Sequence, residues 1–358
     1  MRKEAQKNIL VVKLRYIGDT LSILPVVENL KKKAPAWSID VLVNQGTEAF
    51  LSHNPWVRRT WAYDYNLAKK LNWKSINYQI KLIQKLRHER YDVVIDFTYG
   101  DRAAFLCFLT GASVRITHSQ ASNLSRILMN RFVDSDPASR HVVEDQLEAL
   151  KLLGMEGLRK EFTLSVPAEV KAKVSRMLTR SGGCIREPVV AIHPGARTKL
   201  RQWRPERFAE LARRLETAYG CGFFLVGGPG EEELLDLVEQ GMESAPAFRS
   251  TSLDLLELAE LFRLSSLFIG NDSAPGHLAA AVGCPTISLF GPTFPHTWRP
   301  VGPRVEVVCR DVPCRGCNQE FCERPEAWCM DLIQVDEVWE RAVRLLGVYG
   351  LKSAASPL

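Results

Sequence analysis

Short runs of consecutive apolar residues alternate with longer amphipathic segments along most of the chain. Runs of this kind, ended by glycine, proline or polar residues, are typical of buried strands in parallel sheets. The predicted strands are 9–12, 39–43, 91–96, 114–116, 161–166, 189–192, 223–226, 267–270 and 286–291. The amphipathic segments between the strands predict helices, and this alternation favours an α/β protein with parallel, doubly wound sheets.

The helices are predicted from the same pattern. The first follows the loop 15–20 and spans 21–33, where Pro35 ends it. The others are 76–89, 141–153, 206–219, 231–240 and 277–282, and a last amphipathic helix covers 335–346.

The length of 358 residues exceeds one comfortable hydrophobic core, so two domains are expected. The segment 181–188 is rich in glycine and charge and precedes a new series of strands and helices. We therefore predict an N-terminal Rossmann-like domain in 1–175 and a C-terminal one in 186–334. The segment 335–358 is expected to supply a helix that packs back toward the N-terminal domain, and a tail.

Amino-acid composition excludes only a few classes of protein. An apolar content of 46% and a charged content of 25% are those of an ordinary globular protein. The net charge of +6 suits an anionic substrate or a membrane surface but is too small to indicate nucleic acid. No apolar stretch reaches the length of a signal peptide core or a membrane span, so we expect a cytoplasmic protein.

The stretch 265–292 has the strongest pattern of a binding site. It predicts a strand, a tight loop, a helix and a second strand, and the loop 271–276 lies at a helix N-terminus. Free N–H groups and the helix dipole favour an anion there, which indicates a nucleotide or a sugar phosphate. The alternative is that Asp272 or Ser273 only caps the helix.

Two other loops of the second half follow strands and contain glycine, at 193–196 and 227–230. All three loops are expected at the carboxyl ends of parallel strands, where ligands of open sheets bind. None of them matches the dinucleotide or P-loop glycine patterns, which disfavours a dehydrogenase or an ATPase.

In these segments the chain resembles glycosyltransferase family 9, the heptosyltransferases of lipopolysaccharide core synthesis. The resemblance covers nearly the whole chain, with the motifs in order, at 13–20, 24–25, 193–196, 201–203, 205–208, 227–229, 270–281 and 289–292. It implies a GT-B fold, in which two Rossmann-like domains with parallel sheets face each other across a cleft. It also implies an inverting transfer from ADP-heptose that needs no metal or other cofactor.

The resemblance also assigns residues. The donor-binding positions that it implies are Lys13, His193, Gly195, Gly227, Gly228, Asp272, Ser273, Ala274, Gly276 and His277. The family often has glycine at the position of Ala274 and lysine at that of Arg201, so the phosphate geometry is expected to differ in detail.

Two residues are candidates for the chemistry. Asp19 matches the proposed catalytic base of the family, and Arg201 is expected to stabilise the leaving diphosphate. Asp19 could instead cap the following helix, and Arg201 could be a solvated arginine. For Lys13, a salt bridge at the end of the first strand is the alternative to a donor contact.

Five cysteines lie close together in sequence, at 309, 314, 317, 322 and 329. Zinc or an iron–sulfur centre on Cys309, Cys314, Cys317 and Cys322 is one interpretation, and thiols in a structural loop are the other. The spacing fits no standard zinc module closely, so no metal is assigned.

The resulting hypothesis is a transferase that moves heptose from ADP-heptose to the lipid-linked inner core of lipopolysaccharide, with peripheral contact with the inner membrane and no nucleic acid partner. Basic residues of the first half are candidates for docking an anionic lipid acceptor: Lys31, Lys32, Lys33, Lys69, Lys70, Lys74 and Arg126. The rival hypotheses are a transferase for another nucleotide sugar or acceptor, and a non-catalytic nucleotide-sugar binding protein.

Overall fold

The computed structural model describes residues 6–162, 164–183, 185–317, 321–324 and 328–347. The chain divides into two compact units between Phe162 and Thr163. Each unit is an open parallel sheet with helices, as the alternation of apolar runs and amphipathic segments predicts.

The N-terminal unit is built on six strands, which are β1 (Asn8–Lys13), β2 (Ser38–Asn44), β3 (Arg59–Tyr63), β4 (Val93–Asp96), β5 (Val114–His118) and β6 (Arg131–Val133). Its helices are α1 (Ile17–Leu21), α2 (Leu24–Lys33), α3 (Ala49–Ser52), α4 (Tyr65–Ala68), α5 (Trp73–His88), α6 (Asp101–Leu109), α7 (Asn123–Leu128) and α8 (Val142–Lys151). The strands pair in parallel in the order β3-β2-β1-β4-β5-β6. The carboxyl ends of all six therefore lie at one edge of the sheet.

The C-terminal unit repeats this plan with β7 (Val189–His193), β8 (Gly222–Val226), β9 (Phe248–Ser250), β10 (Leu267–Asn271), β11 (Thr286–Phe290) and β12 (Val305–Cys309). Its helices are α9 (Ala168–Arg180), α10 (Pro205–Tyr219), α11 (Glu232–Gln240), α12 (Leu255–Arg263), α13 (Ala274–Ala281), α14 (Pro295–Trp298) and α15 (Val335–Gly347), with a 3₁₀ turn at Lys199–Arg201. The parallel order is β12-β11-β10-β7-β8-β9.

The sequence pattern identified the eight inner strands and missed β3, β6, β9 and β12, which are the four edge strands. Edge strands bury fewer side chains, and the residues of β3 and β6 are largely exposed or half-buried. The strand predicted at 161–166 is wrong for the described residues of that segment. There, Leu164 donates one backbone hydrogen bond, of 2.9 Å, to Ala281.

The helix predicted over 21–33 is in fact two helices. The short α1 contains Asp19, and α2 begins at Leu24 with Pro25 in its first turn. Proline suits the first turn of a helix because it lacks the N–H that would bond to the preceding turn. This break places Asp19 inside a helix rather than in front of one.

The predicted boundary between the two domains needs correction. Helix α9 packs on α12 and buries Val174 and Leu178, so it belongs to the C-terminal unit, and the boundary precedes residue 175. Helix α15 packs on α10 and on the sheet of the same unit, with Val338 and Leu346 fully buried in that core. Its apolar face is therefore buried within the C-terminal unit. That the segment 335–358 packs back toward the N-terminal domain stays a prediction, and its tail, 348–358, lies outside the described residues.

Among the residues described, no helix combines the length and the apolar character that crossing a membrane requires.

Replacing Leu346 by alanine tests the role of α15 in the C-terminal core. Leu346 is fully buried, so we expect Leu346→Ala to lower the free energy of unfolding by about 2–5 kcal/mol. The matched control is Glu340→Ala, an exposed position of the same helix, which should change that value by less than about 0.5 kcal/mol. Urea unfolding followed by circular dichroism measures both. Equal stability of the two variants would contradict the assignment of α15 to this core.

Candidate functional site

The loops at the edge of the C-terminal sheet are held by one buried amide. Asn271, the last residue of β10, is fully buried. Its Nδ2 donates to the carbonyl of Pro194 (2.7 Å), and its Oδ1 accepts from the N–H of Trp203 (3.0 Å). One side chain thus joins the loop after β7 to the segment that leads into α10. The sequence alone assigns Asn271 no role, although an amide that ends an apolar strand is a signal for such a contact.

The next residue, Asp272, carries the charge of the site. Its side chain is buried and its Oδ2 accepts bonds from Nη1 of Arg201 (3.1 Å) and from the hydroxyl of Thr293. Among the described residues both partners bind Oδ2, so Oδ1 retains acceptor capacity for a ligand. Burial lowers the pKa of Arg201, and the charge of Asp272 offsets part of this effect. The guanidinium still stays charged, because its ordinary pKa is above 12.

Thr293 is in turn held by a segment from the cysteine-rich region. Nη1 of Arg315 donates to the carbonyls of Gly291 and Thr293, both at 3.0 Å. The N–H of Gly316 donates to the carbonyl of Pro292 at 2.7 Å. Arg315 therefore fixes the loop that orients Thr293 toward Asp272. The roles of Thr293 and Arg315 cannot be seen in the sequence, because their partners are more than twenty residues away.

Helix α13 begins next to Asp272 and has no side-chain cap. Ser273 occupies the N-cap position, but its hydroxyl donates to the carbonyl of Asn271 (3.2 Å) and makes no cap bond. The interpretation of Asp272 or Ser273 as a simple helix cap is therefore wrong. Ala274, Gly276 and His277 lie in the first turn, so the positive end of the helix is next to the Asp272 carboxylate.

A second carboxylate lies among the glycines of the other two loops. Oε2 of Glu231 accepts from the N–H of Gly228 (2.7 Å) and lies 3.6 Å from Nε2 of His193. A side chain at Gly195 would overlap this carboxylate in its present position, so Glu231 would have to move to make room for one. Burial lowers the pKa of His193, and the charge of Glu231 offsets part of this effect. From the sequence, Glu231 is only the first residue of a predicted helix. Nothing in its spacing shows that its side chain folds back onto Gly228 and His193.

Asp19 belongs to a buried charge cluster of the N-terminal unit. Nζ of Lys13 lies 3.3 Å from Oδ1 of Asp19 and donates to the carbonyl of Phe97 (3.0 Å). Burial lowers the pKa of Lys13, an effect that Asp19 partly offsets. The N-cap of α1 is Tyr16 and Asp19 lies inside the helix, so the interpretation of Asp19 as a helix cap is wrong. The strand-end salt bridge considered for Lys13 is present, and a donor contact by Lys13 stays a prediction.

Asp96 is the third charged group of this cluster and is fully buried at the end of β4. Burial raises the pKa of its carboxyl to about 6. Its Oδ1 accepts from the N–H of Thr98 (2.8 Å), and its Oδ2 has no partner among the described residues. A carboxylate oxygen without a partner in this environment costs stability.

The cysteines of the C-terminal region are free thiols where the structure describes them. Cys309 ends β12, Cys322 is half-buried, and the N–H of Cys317 donates to the carbonyl of Cys314 (3.2 Å) across a turn. Within the described ranges, no three or more His, Cys, Asp or Glu side chains form a group that could hold a metal ion. Cys314 and Cys317 flank Arg315, the residue that holds the loop of Thr293.

Comparison with known proteins agrees with this architecture. The model of the family described as "Glycosyltransferase family 9 (heptosyltransferase)" matches residues 79–327. Lipopolysaccharide heptosyltransferase 3 of Escherichia coli is 34% identical over 291 residues, which is 80% of this chain and 84% of that protein.

Two solved structures share the fold. A family 9 glycosyl transferase from Veillonella parvula has a TM-score of 0.82 at 23% identity, over 96% of this chain and 98% of that one. ADP-heptose lipopolysaccharide heptosyltransferase II of E. coli has a TM-score of 0.76 at 20% identity, over 96% and 99%. Two Rossmann-like units of this kind define a GT-B glycosyltransferase fold. The chain belongs to glycosyltransferase family 9, the heptosyltransferase family, which confirms the predicted resemblance.

Removing the Thr293 hydroxyl tests the support of Asp272. Thr293→Val keeps the shape of the side chain but removes a hydrogen bond to a charged group, so we expect a loss of about 1.5–3 kcal/mol in the free energy of unfolding. Thr293→Ser keeps the hydroxyl and is the matched control, with a much smaller loss. Urea unfolding of both variants measures this difference. Two variants of equal stability would show that the bond contributes nothing.

The stability of the N-terminal unit should depend on pH through Asp96. Its pKa is about 6 in the folded protein and near 4 in an unfolded chain. The unfolded chain therefore loses the proton first, and stability falls as pH rises from about 4 to 6. A pKa difference of about 2 corresponds to about 3 kcal/mol.

Asp96→Asn does not titrate and should lack this loss. We expect the variant to gain on the wild type by up to about 3 kcal/mol between pH 4 and pH 7, in urea unfolding at a series of pH values. Curves that run parallel over this range would contradict the buried, raised pKa.

Proposed function

We propose that this protein transfers heptose from ADP-heptose to the inner core of lipopolysaccharide, with inversion at the anomeric carbon and without a metal ion. The observation that carries the proposal is the buried Arg201–Asp272 pair next to the uncapped start of α13. This group offers a cation and helix N–H groups to a diphosphate, and a carboxylate oxygen to sugar hydroxyls. The donor and acceptor are those in the names of the E. coli relatives.

In the proposed reaction a hydroxyl of the acceptor attacks C1 of the heptose as the bond from C1 to the ADP oxygen breaks. Asp19 takes the proton of that hydroxyl as general base. Arg201 and the N–H groups at the start of α13 stabilise the negative charge that develops on the leaving ADP. Arginine suits this role because its planar guanidinium binds phosphate oxygens in pairs.

The residues around the donor have supporting roles in this proposal. Oδ1 of Asp272 would accept from sugar hydroxyls, while Arg201 and Thr293 hold Oδ2. The glycines at 195, 227 and 228 would let the nucleotide approach the backbone, and His193 would line that region. His277 would support the first turn of α13.

The acceptor in this proposal is a lipid-linked core oligosaccharide, so the enzyme would work in the cytoplasm at the inner face of the cytoplasmic membrane. A transferase for another nucleotide sugar is the second candidate, since the described geometry recognises a diphosphate more clearly than a heptose. The assay therefore offers ADP-heptose and other nucleotide sugars in parallel to a heptose-deficient core, with mass spectrometry of the product. Transfer from another nucleotide sugar alone would favour this second candidate. Binding of ADP-heptose without any transfer would favour a non-catalytic protein.

The variant Asp19→Asn tests the catalytic step. It is nearly isosteric but cannot take a proton, so turnover should fall by about 10²–10⁴-fold while donor affinity stays close to wild type. Steady-state kinetics with saturating donor and acceptor measure turnover, and calorimetry measures donor binding. The matched control Asp134→Asn makes the same change at an exposed position of the same unit and should leave turnover unaltered. Turnover of the Asp19 variant within about threefold of wild type would remove Asp19 from the mechanism.

A further inference from the structure

Four neighbouring helices of the N-terminal unit expose large apolar side chains. Helices α5, α6 and α7 bury one side in the core below, and α4 to α7 contact each other in sequence. Their outer side and the α4–α5 connection, which we call the α4–α7 face, carry exposed residues of the apolar and aromatic classes. These are Tyr65, Leu71, Trp73, Ile76, Ile80, Phe105, Phe108, Leu124 and Ile127.

The most exposed of these side chains are at two points of the face. Leu71 and Trp73 lie in the connection from α4 to α5 and at the first position of α5, with Trp73 83% exposed. Ile127 of α7 is 78% exposed. Trp73, Ile76 and Ile80 lie at helical spacing on one side of α5, so they form a continuous stripe. Contiguous apolar surface of this kind marks an interaction site rather than scattered surface residues.

The same segments are almost entirely basic, and Asp101 at the start of α6 is the one acidic residue of these helices. Residues 65–88 and 102–133 contain no aspartate or glutamate. Their basic residues are Lys69, Lys70, Lys74, Lys81, Lys85, Arg87, Arg102, Arg115, Arg126 and Arg131. The rest of the chain has more acidic than basic residues, so the positive net charge of the protein comes from this region.

Contacts within the face combine the two kinds of side chain. The guanidinium of Arg102 lies 4.9 Å from the centre of the Tyr65 ring, and that of Arg115 lies 5.4 Å from the centre of the Phe108 ring. The ammonium of Lys69 lies 5.8 Å from the Tyr65 ring. Cations beside exposed rings are suited to a boundary where phosphates lie above and apolar chains below.

The lysines of α2, which the sequence grouped with this region, are not part of it. Helix α2 packs against α8, and Lys31 donates to the carbonyls of Pro35 (2.8 Å) and Trp37 (3.0 Å). Lys32 pairs with Glu28 on its own helix. The basic surface that remains is the one that also carries apolar side chains.

We propose that the α4–α7 face docks the N-terminal unit on an anionic phospholipid bilayer. Leu71, Trp73 and Ile127 enter the headgroup region, and the lysines and arginines around them bind lipid phosphates. A second copy of the chain is a poorer occupant, because a symmetric contact would bring two faces of the same charge together. The proposal rests on the proposed function only in giving the enzyme access to a lipid-linked acceptor.

Vesicle flotation with the full chain tests the docking. We expect binding to phosphatidylcholine vesicles that contain phosphatidylglycerol, weaker binding at high salt, and little binding to phosphatidylcholine alone. The triple variant Lys69→Gln, Lys70→Gln, Lys74→Gln should lose on the order of a hundredfold in affinity, since each basic residue near the surface contributes about fivefold. Leu71→Ser with Trp73→Ser should also weaken binding.

The control removes three positive charges from an exposed side of α9, by Lys171→Gln, Arg176→Gln and Arg180→Gln, and should bind as the wild type does. Equal loss in both triple variants would show that only net charge matters and would overturn the assignment to this face. Binding that ignores anionic lipid and salt would overturn the proposal as a whole. A changed oligomeric state of the α4–α5 variants, with vesicle binding intact, would assign the face to contact between copies of the chain.

Transfer to a delipidated core oligosaccharide separates this proposal from the proposed function. The triple lysine variant and the Leu71→Ser, Trp73→Ser variant should keep wild-type turnover with this soluble acceptor. They should lose turnover only with the acceptor in vesicles. A wild-type protein that binds anionic vesicles but transfers no heptose would contradict the proposed function and leave the proposed docking standing. A wild-type protein that transfers heptose but binds vesicles regardless of their charge would contradict the docking and leave the proposed function standing.

Discussion

The C-terminal unit depends on the hydrogen bonds of one buried amide, Asn271. A parallel sheet brings the ends of β7 and β10 to the same edge, but it leaves the loops that follow them with backbone groups to satisfy. Asn271 supplies an acceptor to one segment and a donor to another, so the two segments are held in a fixed relation. The charge pair of the site follows directly, because Asp272 is the next residue and Arg201 comes from the segment that Asn271 holds.

The two units handle buried charge in different ways. In the C-terminal unit Asp272 has a cation and a hydroxyl as partners, so its ionised form is stabilised where a ligand would need it. In the N-terminal unit Lys13 has Asp19 beside it, whereas Asp96 keeps one oxygen without a partner in the described structure. The hydrogen bonds of Asp272 offset the cost of burying its charge. The oxygen of Asp96 without a partner instead lowers the stability of the N-terminal unit. Such unrelieved costs are more common at functional sites than elsewhere, which agrees with the role proposed for Asp19.

Surface charge and buried charge serve separate purposes in this chain. The buried ion pairs orient individual side chains, which needs few groups and fixed geometry. The α4–α7 face instead collects ten basic residues against a single aspartate in its helices, Asp101, and combines them with exposed aromatic and aliphatic side chains. Such a surface has no stabilising role in the fold of the unit, because apolar area that stays exposed to water contributes nothing to folding. This combination agrees with the docking role that we propose for the face.

The sequence by itself determined the fold class, the family and the inner strands of both sheets. Buried strands of parallel sheets are continuous apolar runs, so β1 and β10 are visible without a structure. The glycine-containing loops and the motif order then identified the family, because these features are local. The sequence also found Asp19, Arg201 and Asp272, although it left their simpler structural interpretations open.

Only the tertiary structure decided what depends on contacts between distant residues. The edge strands β3, β6, β9 and β12 escaped the pattern because a half-exposed strand has no continuous apolar run. The pairing of Arg201 with Asp272 spans 71 positions, and the support from Thr293 and Arg315 arises where a later segment folds onto the same loop. The place of α15 was also decided there: amphipathic spacing shows that a helix has an apolar face, but not which core that face will join.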